Sequence, residues 1–311
     1  MSPAFPVIRL RDRGNWLAGR DGIVLAFFIH RAHTEVGPAI WRSIQTFLHA
    51  IPPDSLNWYT SADGDMVPLD AEGWEHNRHV VTERVGGGSR SVELRESPSE
   101  TGGYQVEYYG RLLDSLFHDA PVTTLAFTFP TEYLVEHGVA RLRSLVLELA
   151  RELPFNFGYA SFALVSAQGS WAAGDWNITE ALLARYPGLD APHALRFSSI
   201  LGTRTLGPYW LTFLGQPLLG QMGGIDALRN ALPFPEVSVL PMDGDRVLVT
   251  LDEWPDPIDT QTKSIPPQYR ALARLMEPFL FRYEGEELPL YKRDTNQWIQ
   301  RHLYTPSTQC D

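Results

Sequence analysis

Paired carboxylates are the side chains in this 311-residue sequence whose spacing comes closest to that of a reactive site. Two neighbouring carboxyl groups can serve as acid and base in glycoside hydrolysis, or they can hold a divalent metal. Each pair falls in a predicted loop or turn, and aspartate beside glycine is what tight turns select. Solvated turn chemistry therefore explains the pairs better than catalysis, and an enzyme acting on a small or carbohydrate substrate is the alternative. The pairs are Asp63 with Asp65, Asp243 with Asp245, Asp252 with Glu253, and Glu286 with Glu287.

The sequence contains no recognisable motif for a zinc site, a nucleophilic serine or a disulfide. His30 and His33 are three residues apart, as are His76 and His79, but neither pair forms the HExxH pattern of a zinc site. There is no GxSxG elbow for a nucleophilic serine, and the one cysteine, Cys310, has no second cysteine to pair with. We therefore predict no catalytic residue, no bound metal and no cofactor.

Two acidic segments, residues 52–76 and 242–259, combine carboxylates with tryptophan. Each holds six acidic residues and at most one basic residue. Exposed tryptophan can supply binding area to a protein partner, while the carboxylates around it attract a positively charged surface. A solvated acidic face without a partner is an equal alternative for each segment. We predict that these residues bind a basic protein: Trp254, Asp252, Glu253, Asp256, Asp259, Asp243, Asp245, Trp58, Asp63, Asp65 and Trp74.

The overall charge agrees with a basic partner. The chain has 37 Asp and Glu against 26 Lys and Arg, a net charge of -11, which disfavours direct binding to nucleic acid or to an anionic membrane. The first residues lack the apolar core of a signal peptide, and no apolar run approaches the roughly 20 residues that span a bilayer. We therefore expect a cytoplasmic protein.

Strand and helix patterns predict an α+β fold, in which antiparallel or mixed sheets pack against helices. Residues 23–30 are apolar on both faces, as in a central strand, whereas residues 122–129 have one apolar face. The remaining predictions are helices at 36–50 and 131–153, a hairpin from 91–96 and 104–109, a strand at 159–165, extended chain at 193–198 and 205–213, and a loop-rich stretch at 52–76.

The chain can be divided into an N-terminal half, residues 1–153, and a C-terminal half, residues 154–311. Each half has the order strand, helix, paired strands, helix. This order predicts two pseudo-repeated halves in one compact unit, although the halves cannot be aligned residue by residue.

Residues 201–279 carry the clearest pattern of the chain. A helix is expected after Pro217, with an interruption at Gly223 and Gly224. A two-residue hairpin turn is expected at Asp243-Gly244, between two strands with alternating apolar residues. A further helix is expected to begin at Pro267.

The same residues resemble a known bacterial family. The order is WLTFLGxPLLxxxGGxxxLRxxL, then a hairpin, then DxWPxPxD and PPxYRxLAxLMEPF, and it is supported upstream by YASFAL and ALLARYPGLD. It resembles the type VI secretion immunity proteins paired with VRR-NUC nuclease effectors, most closely over residues 159–280. The resemblance implies a non-enzymatic immunity protein that neutralises a cognate toxin, most simply a basic nuclease domain. A homodimer or a self-associating structural protein is the further alternative.

Overall fold

The computed structural model describes residues 5–83, 88–166, 176–283 and 295–303. Helices are interspersed among the strands along these residues, and every pair of neighbouring strands is antiparallel. The predicted α+β class is therefore confirmed. The strands are β1 Arg9–Arg11, β2 Leu17–Ile29, β3 Trp58–Thr60, β4 Met66–Pro68, β5 Arg90–Arg95, β6 Gln105–Gly110, β7 Thr123–Pro130, β8 Phe157–Val165, β9 Leu211–Leu214, β10 Ser238–Met242 and β11 Arg246–Thr250. The helices are α1 His33–Ala50, α2 Ala71–Thr82, α3 Thr131–Ala150, α4 Trp176–Arg185, α5 Ala194–Ile200, α6 Leu218–Gln221, α7 Gly224–Ala231, α8 Pro267–Met276 and α9 Thr295–Ile299.

One sheet contains all the described strands, in the order β10-β11-β9-β8-β2-β7-β6-β5-β3-β4, with β1 paired to the start of β2. Strand β2 lies at the centre because the segment 23–29 is apolar on both faces and can be covered on both. It pairs with β7 on one side and with β8 on the other; Ile23, for example, lies opposite Phe129 and Phe162. The predicted central strand is confirmed.

The sheet is the middle of three layers. Alternate residues of β2 point to opposite faces, so Leu25 and Phe27 belong to one apolar core while Ala26 and Phe28 belong to the other. Helices α1 and α3 cover the first core, and α5, α6, α7 and α8 cover the second. Helical periodicity correctly placed α1, α3, α7 and α8 on the sheet.

Three sequence predictions are wrong. Strand β7 was expected to have one solvated face, but both faces are buried, because the helices on the second face cover its threonines and Ala126. Residues 193–198 were expected to be extended, but they lie largely in helix α5. Residues 52–76 were expected to be loop-rich, but they contain the β3–β4 hairpin and the start of α2, which begins where the Asp70 carboxylate accepts a hydrogen bond from the Gly73 amide.

Strands from both sequence halves pair directly, since β2 and β8 form a nine-residue ladder from Arg20 to Phe28. The structure does not confirm the internal repeat. A boundary at residues 153 and 154 lies between α3 and β8 and remains a prediction.

The passage 201–279 folds largely as expected. Gly223 and Gly224 have left-handed φ values of 90° and 77°; Gly223 lies between α6 and α7, and Gly224 is the first residue of α7. The β10–β11 hairpin is confirmed, but its turn has three residues, 243–245, because Met242 pairs with Arg246. The outermost strands of the described sheet, β10 and β4, contain Pro241 and Pro68.

Candidate partner-binding surfaces

The strand registers place the candidate residues at two opposite ends of the sheet. At the end that we call the turn end lie the β3–β4 turn (residues 61–65), the β6–β7 loop (residues 111–122) and the β10–β11 turn (residues 243–245). At the other end, which we call the cleft end, β11 finishes and the segment 252–263 follows. The acidic segment 242–259 is therefore not one surface, because its residues lie at both ends of β11.

The turn end carries four exposed carboxylates of the prediction. Asp63, Asp65, Asp243 and Asp245 are all exposed, and none of them forms an ion pair with another described residue. The two turns are far apart, because seven inter-strand steps separate β3 from β11. At about 4.8 Å per step this is roughly 34 Å along the sheet. Both turns can therefore touch one partner only if that partner spans the whole end.

The cleft end contains a cleft of about 620 Å³ beside Trp254. Trp254 is half-buried: its ring centre lies 6.5 Å from that of Phe5, which in turn stacks on Phe162 at 5.3 Å. The Trp210 indole donates a hydrogen bond of 3.0 Å to the backbone oxygen of Asp252, which fixes the start of the segment. Trp254 thus packs against the chain as well as lining the cleft.

Two carboxylates of the cleft are neutralised by the chain itself. Asp259 accepts two hydrogen bonds, of 2.6 Å and 3.0 Å, from the Arg185 guanidinium, and this pairing lowers the pKa of Asp259. Asp256 pairs with the Lys263 ammonium. A partner's cation would have to compete with these internal ones.

Asp252 and Glu253 are the cleft carboxylates that make no ion pair with a described residue. Asp252 accepts a hydrogen bond of 2.7 Å from the Glu253 amide, and burial raises the pKa of the Asp252 carboxyl. Glu253 is exposed. This edge of the cleft is therefore where a partner's cation would meet carboxylates that are not already ion-paired within the described chain.

The two remaining tryptophans of the prediction lie near the far edge of the sheet. Trp58 is in β3, opposite Arg95, and Trp74 is on α2, where it packs against the first core. Both are half-buried. Their aromatic area is thus partly used within the fold, and they are weaker anchors than fully exposed tryptophans would be.

Sequence reasoning missed the most exposed large apolar residues that the structure describes. Leu116 and Phe117, at the tip of the β6–β7 loop, are 98% and 93% exposed. The available signal was an adjacent apolar pair outside every predicted element, in the stretch Asp114-Ser-Leu-Phe-His-Asp119.

A carboxylate pair within the sheet was missed as well. Glu93 in β5 and Glu107 in β6 lie directly opposite each other. The Tyr109 hydroxyl lies 2.8 Å from a Glu93 oxygen and 3.1 Å from a Glu107 oxygen, and Arg95 forms an ion pair with Glu93. Burial, with the nearby Glu93 charge, raises the pKa of Glu107 to about 7. Tyr109 and Arg95, which contact these carboxyl groups, belong to the same sheet. A structural role within the sheet therefore accounts for the pair, and no catalytic role is needed. The pair Glu286 and Glu287 lies outside the described residues.

The described residues contain no group of three or more histidine, cysteine, aspartate or glutamate side chains that could hold a metal ion. None of the described helices combines the length and the apolar character needed to cross a bilayer.

Comparisons with known proteins agree with the fold and with the resemblance noted in the sequence. A search of curated proteins finds no match. Among solved structures, a Pseudomonas aeruginosa T6SS protein, PA0821, is similar to the chain with a TM-score of 0.78 and 23% identity, over 95% of this chain and 87% of that one. At this identity the similarity shows a shared fold. The family model TsiV, type VI immunity for VRR-NUC, matches residues 39–303, which run from within α1 to the last described residue of the chain. The chain therefore belongs to the TsiV family of type VI immunity proteins for VRR-NUC effectors.

Proposed function

We propose that this protein neutralises a VRR-NUC nuclease toxin by binding it directly, and that it performs no reaction itself. The family match across residues 39–303 carries the proposal. Since such a toxin damages DNA, we place the encounter in the cytoplasm.

The charge of the chain supports a contact with the nuclease domain. A nuclease needs a positively charged groove to hold phosphates, and a protein of net charge -11 is attracted to that groove. Occupying the groove, or the approach to it, would exclude DNA. The protein then acts as a competitor of the nucleic acid and does not bind nucleic acid directly.

The structure divides the predicted contact residues into two candidate surfaces that experiments can separate. The turn end offers exposed carboxylates that form no ion pair with a described residue. The cleft end offers Trp254 beside four carboxylates, of which Asp256 and Asp259 are ion-paired within the chain. Because Arg185 and Lys263 would have to be displaced or accommodated at the cleft, we propose that the turn end contributes more to the attraction of the toxin.

Growth rescue and affinity test the proposal together. A candidate VRR-NUC effector from the same genome is expressed with and without this protein, and the affinity for a catalytically inactive form of that effector is measured by calorimetry. The wild-type protein is expected to restore growth and to bind. Light scattering of the free protein and of the complex establishes the stoichiometry and shows whether the free protein is a homodimer.

Two sets of variants assign the surface. Asp63→Arg with Asp65→Arg reverses charge at the turn end, and Asp252→Arg with Glu253→Arg does so at the cleft end, with Trp254→Ala as a third variant. We expect the turn-end variant to lose more affinity than the cleft-end variants. Growth that the wild type does not restore, together with no measurable binding, would disprove the proposed function.

A further inference from the structure

The tip of the β6–β7 loop is an apolar contact point that the fold leaves uncovered. Leu116 and Phe117 are adjacent and expose 98% and 93% of their surface, whereas the next most exposed large apolar residues of the described chain after Val7 are near half exposure. Single exposed apolar residues are common on protein surfaces. Two neighbouring side chains that both project almost completely into water are not, and such patches mark contact sites.

The base of the loop is held by hydrogen bonds on both of its sides. The Val122 amide donates a hydrogen bond of 2.8 Å to the Ser198 backbone oxygen, and the Ala120 amide donates one of 3.2 Å to the Ser199 oxygen. On the other side of the loop, the Arg111 guanidinium lies 2.7 Å and 3.0 Å from the Ser198 hydroxyl oxygen. Both stems are therefore pinned to α5, which lowers the cost of ordering the loop when a partner binds.

The charges around the tip select the kind of partner. Asp114 and Asp119 are exposed on either side of the apolar pair. Burial and the nearby Arg111 lower the pKa of His118, which favours its neutral form. Neither aspartate forms an ion pair with a described residue, and the guanidinium of Arg111, the cation at the base of the loop, is bonded to Ser198. An apolar centre between two carboxylates fits an apolar pocket with basic residues at its rim.

The surroundings of the tip are asymmetric. On one side, Asp119 shares a cleft of about 780 Å³ with Arg204 and Arg282, so the charge there is mixed. On the other side, two inter-strand steps away, lies the β3–β4 turn with Asp63 and Asp65, roughly 10 Å along the sheet. On this side the neighbouring turn thus adds two carboxylates to those of the loop, while Arg90, which begins β5 between them, is ion-paired with Glu83.

We propose that Leu116 and Phe117 insert into an apolar pocket of the VRR-NUC toxin whose rim carries arginine or lysine. The proposal rests on the proposed function and specifies where the contact has its centre. In this arrangement Phe117 supplies the desolvated area, and the aspartates on the loop and on the neighbouring turn pair with the rim.

The test measures the affinity of Leu116→Ser with Phe117→Ser for an inactive VRR-NUC effector against which the wild type protects. We expect the affinity to fall about 100-fold, with loss of growth rescue, because buried aromatic anchors dominate such interfaces. Val135→Ser, which alters another exposed apolar residue on α3, is the matched control and is expected to bind like the wild type. Circular dichroism and thermal melting show that both variants are folded.

The possible outcomes distinguish a failure of this inference from a failure of the proposed function on which it rests. If the wild type binds and the Leu116/Phe117 variant binds equally well, the tip is not the anchor, while the proposed function stands. If the wild type forms a dimer that the variant abolishes and toxin binding is unchanged, the tip contacts a second copy and the inference is overturned. If the wild type does not bind the effector, both proposals fail.

Discussion

Replacing Glu107 by glutamine should change how the stability of the protein depends on pH. Glu107 lies opposite Glu93 within the sheet, and its carboxyl bonds to the Tyr109 hydroxyl. Burial and the neighbouring Glu93 charge raise its pKa from 4.5 to about 7. The folded protein therefore holds a proton on Glu107 at a pH where the unfolded chain has already released it.

The size and sign of the effect follow from linkage. A raised carboxyl pKa contributes stability that is complete below pH 4.5 and is lost as the pH rises through about 7. At 1.36 kcal/mol per pKa unit the total is about 3 kcal/mol, most of which is lost between pH 5 and pH 8. This is an upper limit, because part of the Glu107 side chain remains in contact with solvent.

Urea denaturation of wild type and Glu107→Gln at pH 5, 6, 7 and 8 measures the effect. Comparing the two proteins isolates the contribution of Glu107, because all other titrating groups are the same in both. Buried histidines act in the opposite direction: burial lowers the pKa of His302, so the protein loses stability as the pH falls below the usual histidine pKa of 6.5. Between pH 5 and pH 8 the variant should gain at most about 3 kcal/mol of stability relative to wild type, while the exposed control Glu72→Gln should show no such gain. Parallel curves for wild type and Glu107→Gln would refute the reasoning.

Three further predictions concern packing and association. Arg246→Ala should lower the free energy of unfolding by about 2 kcal/mol in urea denaturation, because its guanidinium donates to the backbone oxygens of Ala150, Arg151 and Leu153 and closes the end of α3; an unchanged midpoint would contradict this. Gly188→Ala should lower the free energy of unfolding by about 2 kcal/mol or more in the same measurement, because a Cβ there would lie 2.1 Å from the Asp256 backbone oxygen. A decrease below about 0.5 kcal/mol would contradict this and show that the backbone of the cleft segment shifts at little cost. The association rate with the toxin should fall as NaCl rises from about 50 to 500 mM, and less so for Asp63→Arg with Asp65→Arg, in stopped-flow measurements; equal salt dependence would exclude the β3–β4 turn from the encounter.

Much of the fold could be read from periodicity because long elements bury regular apolar stripes. Helices α1 and α3 and the central strand β2 are of this kind. Short elements lack such stripes and were not predicted. Helix α5 has only seven residues, and its N-terminal cap is the His193 ring nitrogen, which accepts a hydrogen bond of 3.4 Å from the Arg196 amide. Strand β7 was misjudged because its threonines look solvated in sequence, whereas helices bury them.

The candidate surfaces were harder to predict because they depend on register and strand order. The sequence indicates that Asp243 and Asp252 are close along the chain, but the strand between them carries them to opposite ends of the sheet. The sequence also separates Asp63 from Phe117 by a long stretch, yet strand pairing brings both to the turn end. Only the pairing of β3, β5 and β6 reveals this proximity.

The prolines on the two outermost described strands limit the ways in which another protein can attach. Pro241 in β10 and Pro68 in β4 have no amide hydrogen to offer to an incoming chain. Extension of the sheet by a foreign strand is thereby discouraged at both borders, as is the edge-to-edge stacking that leads to aggregates. The recognition through loop side chains that we propose would not depend on either of these borders.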